Sequence, residues 1–419
     1  MSTPEILFYV IIGILIADFI LERILEHLNA KNISLKLPEE LKGIYNEEQY
    51  RKSQQYELDN QKMRLITSTL NLIIILLFLF FDGFAFVDQL SRSITSNSIL
   101  IPIVFFGILM FALDIINTPF SVYDTFVIEQ KYGFNTMTVK TFITDKLKGW
   151  LLSAILGGGL LALVVWFYHV TQDMFWIYTW ILVTLFSVFM MMFYTQWILP
   201  LFNKLSRLEE GELKSSIFSF SRQAGFNLKD IFVMDGSKRS TKANAFFSGL
   251  GRKKKIILFD TLIDELKSNE IVSVLAHEIG HYKKKHTLAN LVLSVIQTGI
   301  TLYILSLFID NPVLSRALGV SQPGFHIGLI AFGLLYSPIS MVLGIGMNYL
   351  SRRFEYQADA FASDYGFSNY LIGALKKLSV KNLSNLTPHP IYVFVNYSHP
   401  PLLDRLRFLK TSSKQTAEA

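Results

Sequence analysis

Seven stretches of this 419-residue chain are long enough, and free enough of charge, to cross a bilayer as helices: 6–25, 66–87, 99–117, 150–169, 175–198, 288–309 and 326–350. A run of about 20 apolar residues spans the hydrocarbon, where only a helix satisfies its own backbone polar groups. That constraint excludes a soluble fold. It predicts an α-helical polytopic membrane protein whose chemistry lies mostly in what remains, the loop at 199–287 and the tail at 351–419. The composition agrees, with 51% hydrophobic and 14% aromatic residues and a mean hydropathy of +0.38. Two carboxylates interrupt the runs, Asp18 and Asp114. Each either faces a neighbouring helix or shares a wet interior, since a charge facing lipid is costly.

Basic residues set the orientation. Lys31, Lys36, Lys42, Arg51, Lys52 and Lys62 follow the first run, and Lys131, Lys140, Lys146 and Lys148 follow the third; the other side has only Arg92 and Arg316. By the positive-inside rule the N-terminus is outside or lumenal, and the 199–287 loop and the C-terminus are cytosolic. The first run lacks a basic leader and a cleavage site, so it reads as a retained anchor. The net charge of +6 sits between the apolar runs, which favours membrane lipid as a partner and argues against nucleic acid.

Within the loop, His277-Glu278-Ile279-Gly280-His281 places two imidazoles one helical turn apart with a carboxylate between them. Residues i and i+4 share a helix face, so His277 and His281 can converge on one zinc ion, with Glu278 beside the position where water is activated. The chain has no cysteine, so a metal must be held by His, Asp or Glu. Glu355 lies just past the last apolar run, on the same side as His281, and two adjacent antiparallel spans would bring the two together. That makes Glu355 the expected third ligand. Asp359, four residues on, shares its face and is placed to orient a ligating imidazole through the ring N–H. Alternatively the Glu355–Asp359 pair is a solvated face beside Arg352 and Arg353.

The rest of the loop predicts a helix over 204–220 carrying Leu205, Leu208, Leu213 and Ile217, and a strand over 231–235. Two further strands, 243–250 and 255–259, are joined by a turn through Gly249 and Gly251. The resulting sheet has an edge that either takes an extended peptide as an added strand or is blunted by Lys253, Lys254 and Lys255. A helix starting near Ser268 is expected to carry the motif and run without a break through Lys283–His286 into the sixth span, with His281 about 10 Å from its start.

The order of these features resembles the zinc-dependent type 1 CaaX prenyl proteases. Beyond the metal motif and Glu355-x-x-x-Asp359, the similarity rests on Lys242-Ala243-Asn244-Ala245-Phe246-Phe247, on Tyr397-Ser398-His399-Pro400-Pro401, and on the segment Phe126 to Asn135. The resemblance implies a gluzincin-type α+β protease domain on seven helices that enclose a chamber. It implies one zinc on His277, His281 and Glu355, with Glu278 as general base. Asn244 would hold substrate backbone, His399 would donate to the oxyanion, and Arg405 would help bind substrate. His286 and Asn290 either support the site or serve helix packing. The implied partner is a peptide or protein, prenylated at its C-terminus, from which the last three residues are removed.

The expected division is 1–198 for the first five spans, 199–287 for the protease insertion, 288–350 for the last two spans and 351–419 for the part completing the zinc site. The modest length and the short tail from Lys410 favour a bacterial inner membrane, or the endoplasmic reticulum if the source is eukaryotic. Two other readings stand beside this one: a heat-shock-type membrane quality-control protease acting on unprenylated substrates, and a metal-regulated channel or transporter.

Overall fold

The computed structural model describes residues 1–33, 37, 42–43, 46–248 and 255–418. Among the described residues, six helical runs are long and apolar enough to cross a membrane: α1 (Thr3–Lys31), α2 (Glu47–Phe80), α3 (Leu100–Tyr132), α4 (Val139–Phe202), α7 (His286–Phe308) and α8 (Phe325–Asp364). The fourth holds two of the seven expected spans. Its backbone is interrupted at Gln172, where φ turns positive (45°), and the segments on either side, Gly158–Thr171 and Phe175–Phe193, pack against one another.

The intramembrane carboxylates have partners. Asp18 accepts from the Ser337 hydroxyl on α8, and Asp114 accepts from Lys146 Nζ (2.9 Å) and Trp150 Nε1 (2.9 Å) on α4. Both therefore face neighbouring helices.

The loop folds into a four-stranded sheet in the order β1-β2-β4-β3, from β1 (Leu205–Arg207), β2 (Asp230–Met234), β3 (Ala245–Ser248) and β4 (Lys255–Phe259). β2 and β4 run parallel, whereas β1 and β3 are antiparallel edges. β4 reads Ile256-Ile257-Leu258, and all three are fully buried, as suits a strand covered on both faces. Ile256 and Leu258 point into the protease core, and Ile257 packs with Leu199 at the end of α4. The sheet is thus wedged between the protease helices and the membrane helices.

The expected helix over 204–220 is corrected at its start. Leu205 lies in β1, paired with Met234, and helix α5 (Glu212–Gln223) begins only after Gly211. Pairing with β2 outweighs the helical spacing of the leucines. Gly249, Leu250, Gly251, Lys253, Lys254 and Lys36 lie outside the described residues.

Helix α6 (Ser268–Lys283) carries the metal motif. Its residues Ile271, Leu275 and Ile279 recur every fourth position, are buried, and fix the helix on the core; each such side chain contributes about 1.5–3 kcal/mol. The expected unbroken passage into the membrane does not occur. α6 ends at Lys283, Lys285 adopts the left-handed conformation (φ 62°), and α7 starts afresh at His286. α6 packs most extensively against α8, and α9 (Ser368–Lys381) and α10 (Leu402–Glu418) close the same core.

Among the described residues, two ion pairs join the protease part to the membrane helices. Arg239 forks onto Asp145 of α4 (2.7 and 3.0 Å). Lys242 meets Glu129 of α3 at 2.8 Å and the Tyr56 hydroxyl of α2 at 2.9 Å, with the Phe134 ring 4.5 Å away. Burial opposes the charge on Lys242, but Glu129 and Tyr56 outweigh it and raise its pKa.

Candidate active site

The i, i+4 spacing on α6 aims His277 and His281 in one direction, and α8 crosses there with Glu355. Three distances define the group. His277 Nε2 and His281 Nε2 are 3.2 Å apart, His281 Nε2 lies 3.2 Å from Glu355 Oε1, and His277 Nε2 lies 3.5 Å from Glu355 Oε2. Ligand atoms about 2.0–2.1 Å from a tetrahedral zinc stand about 3.3 Å from one another. The three side chains therefore have the spacing that zinc requires. Glu355 is 3% exposed, and its Oε2 lacks a well-aligned hydrogen-bond donor, as a carboxylate oxygen intended for a cation would. These are the His-His-Glu residues that fit a metal ion by position.

Behind His277, Asp359 is fully buried and its Oδ1 lies 2.8 Å from Nδ1. The ring then donates from Nδ1 and presents Nε2 to the metal. Burial works against a charge on His277, but hydrogen bonds with Asp359 and Glu355 outweigh it and hold its pKa at about 9. A metal at Nε2 takes the place of that proton. Burial raises the Glu278 carboxyl above its usual value, against the pull of His277 and His281. A raised carboxylate is a better proton acceptor, as a general base requires.

Arg405 stands behind the metal group and is not among the residues that line the cavity described below. Its guanidinium forks onto Asp359 (Nε–Oδ2 2.9 Å, Nη2–Oδ1 2.6 Å) on the buried side of His277, with Nη1 3.6 Å from Glu355. The planar fork matches one carboxylate and leaves Nη1 directed toward Glu355.

Glu278, His281 and Glu355 open onto a cavity of about 890 Å³. Phe246 and Phe247 of β3 form one wall, and Met190, Met191 and Tyr194 of α4 with Leu288 and Asn290 of α7 form another. His399 reaches the same space, its Nδ1 3.0 Å from Glu355 Oε2, and its side chain is 66% exposed, so it is free to meet a ligand. Asn244 is exposed and stands apart from this cavity, with its Oδ1 accepting from the Ala245 amide (2.8 Å); it lines a separate cleft with Arg239, Lys242 and Asn382.

His286 lies against His281 and lines the same cavity. Its Nδ1 lies 3.0 Å from His281 Nδ1 and its Nε2 2.8 Å from Gln357 Oε1. Neither Gln357 nor the Glu129–Lys242 contact was foreseeable from spacing, although both belong to segments that carry the resemblance.

Comparison with known proteins agrees with this geometry. Residues 26–204 match the model described as CAAX prenyl protease N-terminal, five membrane helices, and residues 207–413 match peptidase family M48. The CAAX prenyl protease 1 homolog of Arabidopsis thaliana is 35% identical over 97% of this chain and 98% of its own length. CAAX prenyl protease 1 of Saccharomyces cerevisiae is 32% identical over 97% and 96%. The crystal structure of S. mikatae Ste24p superposes with a TM-score of 0.90 at 33% identity, covering 96% of this chain and 98% of that one. Neither the heat-shock reading nor the transporter reading gains support from these matches. This chain belongs to peptidase family M48, with the CAAX prenyl protease N-terminal region, and is an integral-membrane zinc metalloprotease.

Proposed function

We propose that the enzyme cuts peptide bonds at the cytosolic edge of the membrane and removes the C-terminal tripeptide of prenylated CaaX proteins or peptides. The observation that carries this is the composition of one cavity. His281 and Glu355 of the zinc-spaced group, with the Glu278 carboxylate, share about 890 Å³ with Met190, Met191 and Leu288 of the membrane helices. A substrate with a lipid beside its cleaved bond needs both. The names of the relatives, CAAX prenyl protease 1, point the same way.

Zinc held by His277, His281 and Glu355 would supply a Lewis acid and activate water. Glu278 takes the proton and returns it to the leaving amine. His399 donates to the carbonyl oxygen as charge develops there. Asp359 holds His277, and Arg405 holds Asp359. The peptide lies along the free edge of β3, beside Phe246 and Phe247, with Asn244 at its end as a backbone contact. The N-terminus faces outside or the lumen, and the site faces the cytosol, as the lysines around the first and third runs favour.

The test is to offer the purified protein a farnesylated and an unmodified version of one C-terminal peptide, with and without a chelator, and to weigh the products. Release of a tripeptide from the farnesylated peptide alone, abolished by chelation, is expected. Equal cleavage of both peptides refutes lipid dependence, and cleavage that survives chelation refutes the metal.

A further inference from the structure

The two histidines of the metal group are backed differently. Asp359 stands behind His277, whereas among the described residues no carboxylate stands at His281 Nδ1. The atom there is Nδ1 of His286, at 3.0 Å. His286 is 2% exposed, lies flat on Phe354 (4.2 Å between centroids, 10° between planes) and directs Nε2 at Gln357 Oε1, 2.8 Å away. Phe354, Glu355, Gln357 and Asp359 all belong to one stretch of α8. That stretch therefore supplies a ligand, the backing for His277 and the two contacts that hold His286.

A contact between two ring nitrogens holds one proton, and the chain of contacts decides whose it is. His281 Nε2 faces His277 and Glu355, so as a ligand atom it must be bare, and a neutral ring then carries its proton on Nδ1. His286 Nδ1 must accept that proton's hydrogen bond, which leaves the His286 proton on Nε2. There it meets an amide oxygen, which can only accept. We propose that His286 and Gln357 are positioning residues that keep the proton on His281 Nδ1 and leave Nε2 free for the metal. The proposal rests on the zinc reading of the site.

The backbone break supports it. On an unbroken helix a residue five positions along lies about 140° round the axis, out of reach. The left-handed Lys285, just past the end of α6, returns His286 toward His281. A neutral relay also orients His281 without adding another carboxylate to a centre that already contains Glu355 and Asp359.

Zinc affinity of the full-length protein, measured by competition with a chromophoric chelator and without substrate, tests this. His286→Phe keeps the stack on Phe354 and removes the acceptor; it should weaken zinc on the order of 10- to 100-fold. His286→Asn, whose amide oxygen can stand near the Nδ1 position, should stay within a few-fold of the parent. Phe binding as tightly as the parent, or Asn weakened as much as Phe, overturns the proposal. Should the Phe variant fail to fold, Gln357→Leu and Gln357→Glu decide from one step further out: Leu weakened with Glu near the parent supports the relay, and no difference between them overturns it. A parent protein that binds no zinc would instead refute the metal reading itself.

Discussion

Gly280 on α6 stands so close to Ala358 on α8 that a Cβ at position 280 would come within 3.0 Å of the Ala358 Cα and of the Phe361 Cβ. This contact sets the distance between the helix with two of the ligands and the helix with the third. Gly280→Val should therefore separate them, with overpacking of about 1–3 kcal/mol. The expected result is loss of bound zinc and of activity together, read by metal analysis and peptide cleavage, and Gly280→Ala should fall between. Full zinc content in Gly280→Val would show that the helix spacing does not hold the site.

Arg405 and Asp359 form a buried fork behind His277. Removing Arg405 leaves the buried Asp359 with the His277 ring but without its guanidinium, at a cost of up to about 3–5 kcal/mol. Arg405→Met should lower the melting temperature and weaken zinc binding with substrate absent. A variant with parental stability and zinc affinity, but a raised KM, would return Arg405 to substrate binding.

Lys242 and Glu129 tie the segment before β3 to α3. Lys242→Met and Glu129→Gln should each raise KM, because the strand edge loses its anchor to the membrane helices. The double variant should be little worse than either, with a coupling of about 0.5–3 kcal/mol. Additive effects would mean that the contact does not connect the two parts.

Zinc competes with a proton for His277, whose partners hold its pKa at about 9. Below that value a proton must leave, so apparent zinc affinity should rise about tenfold per pH unit and level off above it. The check is chelator competition at pH 6.5, 7.5 and 8.5. A flat profile over that range would contradict the assignment.

Much of this site was legible in the sequence, because the features that make it are periodic. The i, i+4 histidines need only a helix, and Glu355 follows from a span that returns the chain to the same side. The misreadings came where tertiary contacts overrule local pattern. Leu205 looks helical by spacing but pairs with Met234. Lys283-Lys284-Lys285-His286 has neither the glycine nor the proline that usually marks a break, yet Lys285 turns left-handed and brings His286 to His281. Arg405 was recognisable as important, but only the structure shows its fork on Asp359. Glu129 and Lys242 lie 113 residues apart, and nothing local to either announces the other.

The most direct measurement is zinc content and peptide cleavage of Glu278→Gln beside the parent. Glu278 lines the cavity and is not one of the three metal-spaced groups. The variant should bind one zinc with parental affinity and show no turnover, since glutamine keeps the shape and cannot take a proton. Parental cleavage by the zinc-loaded variant would contradict the account.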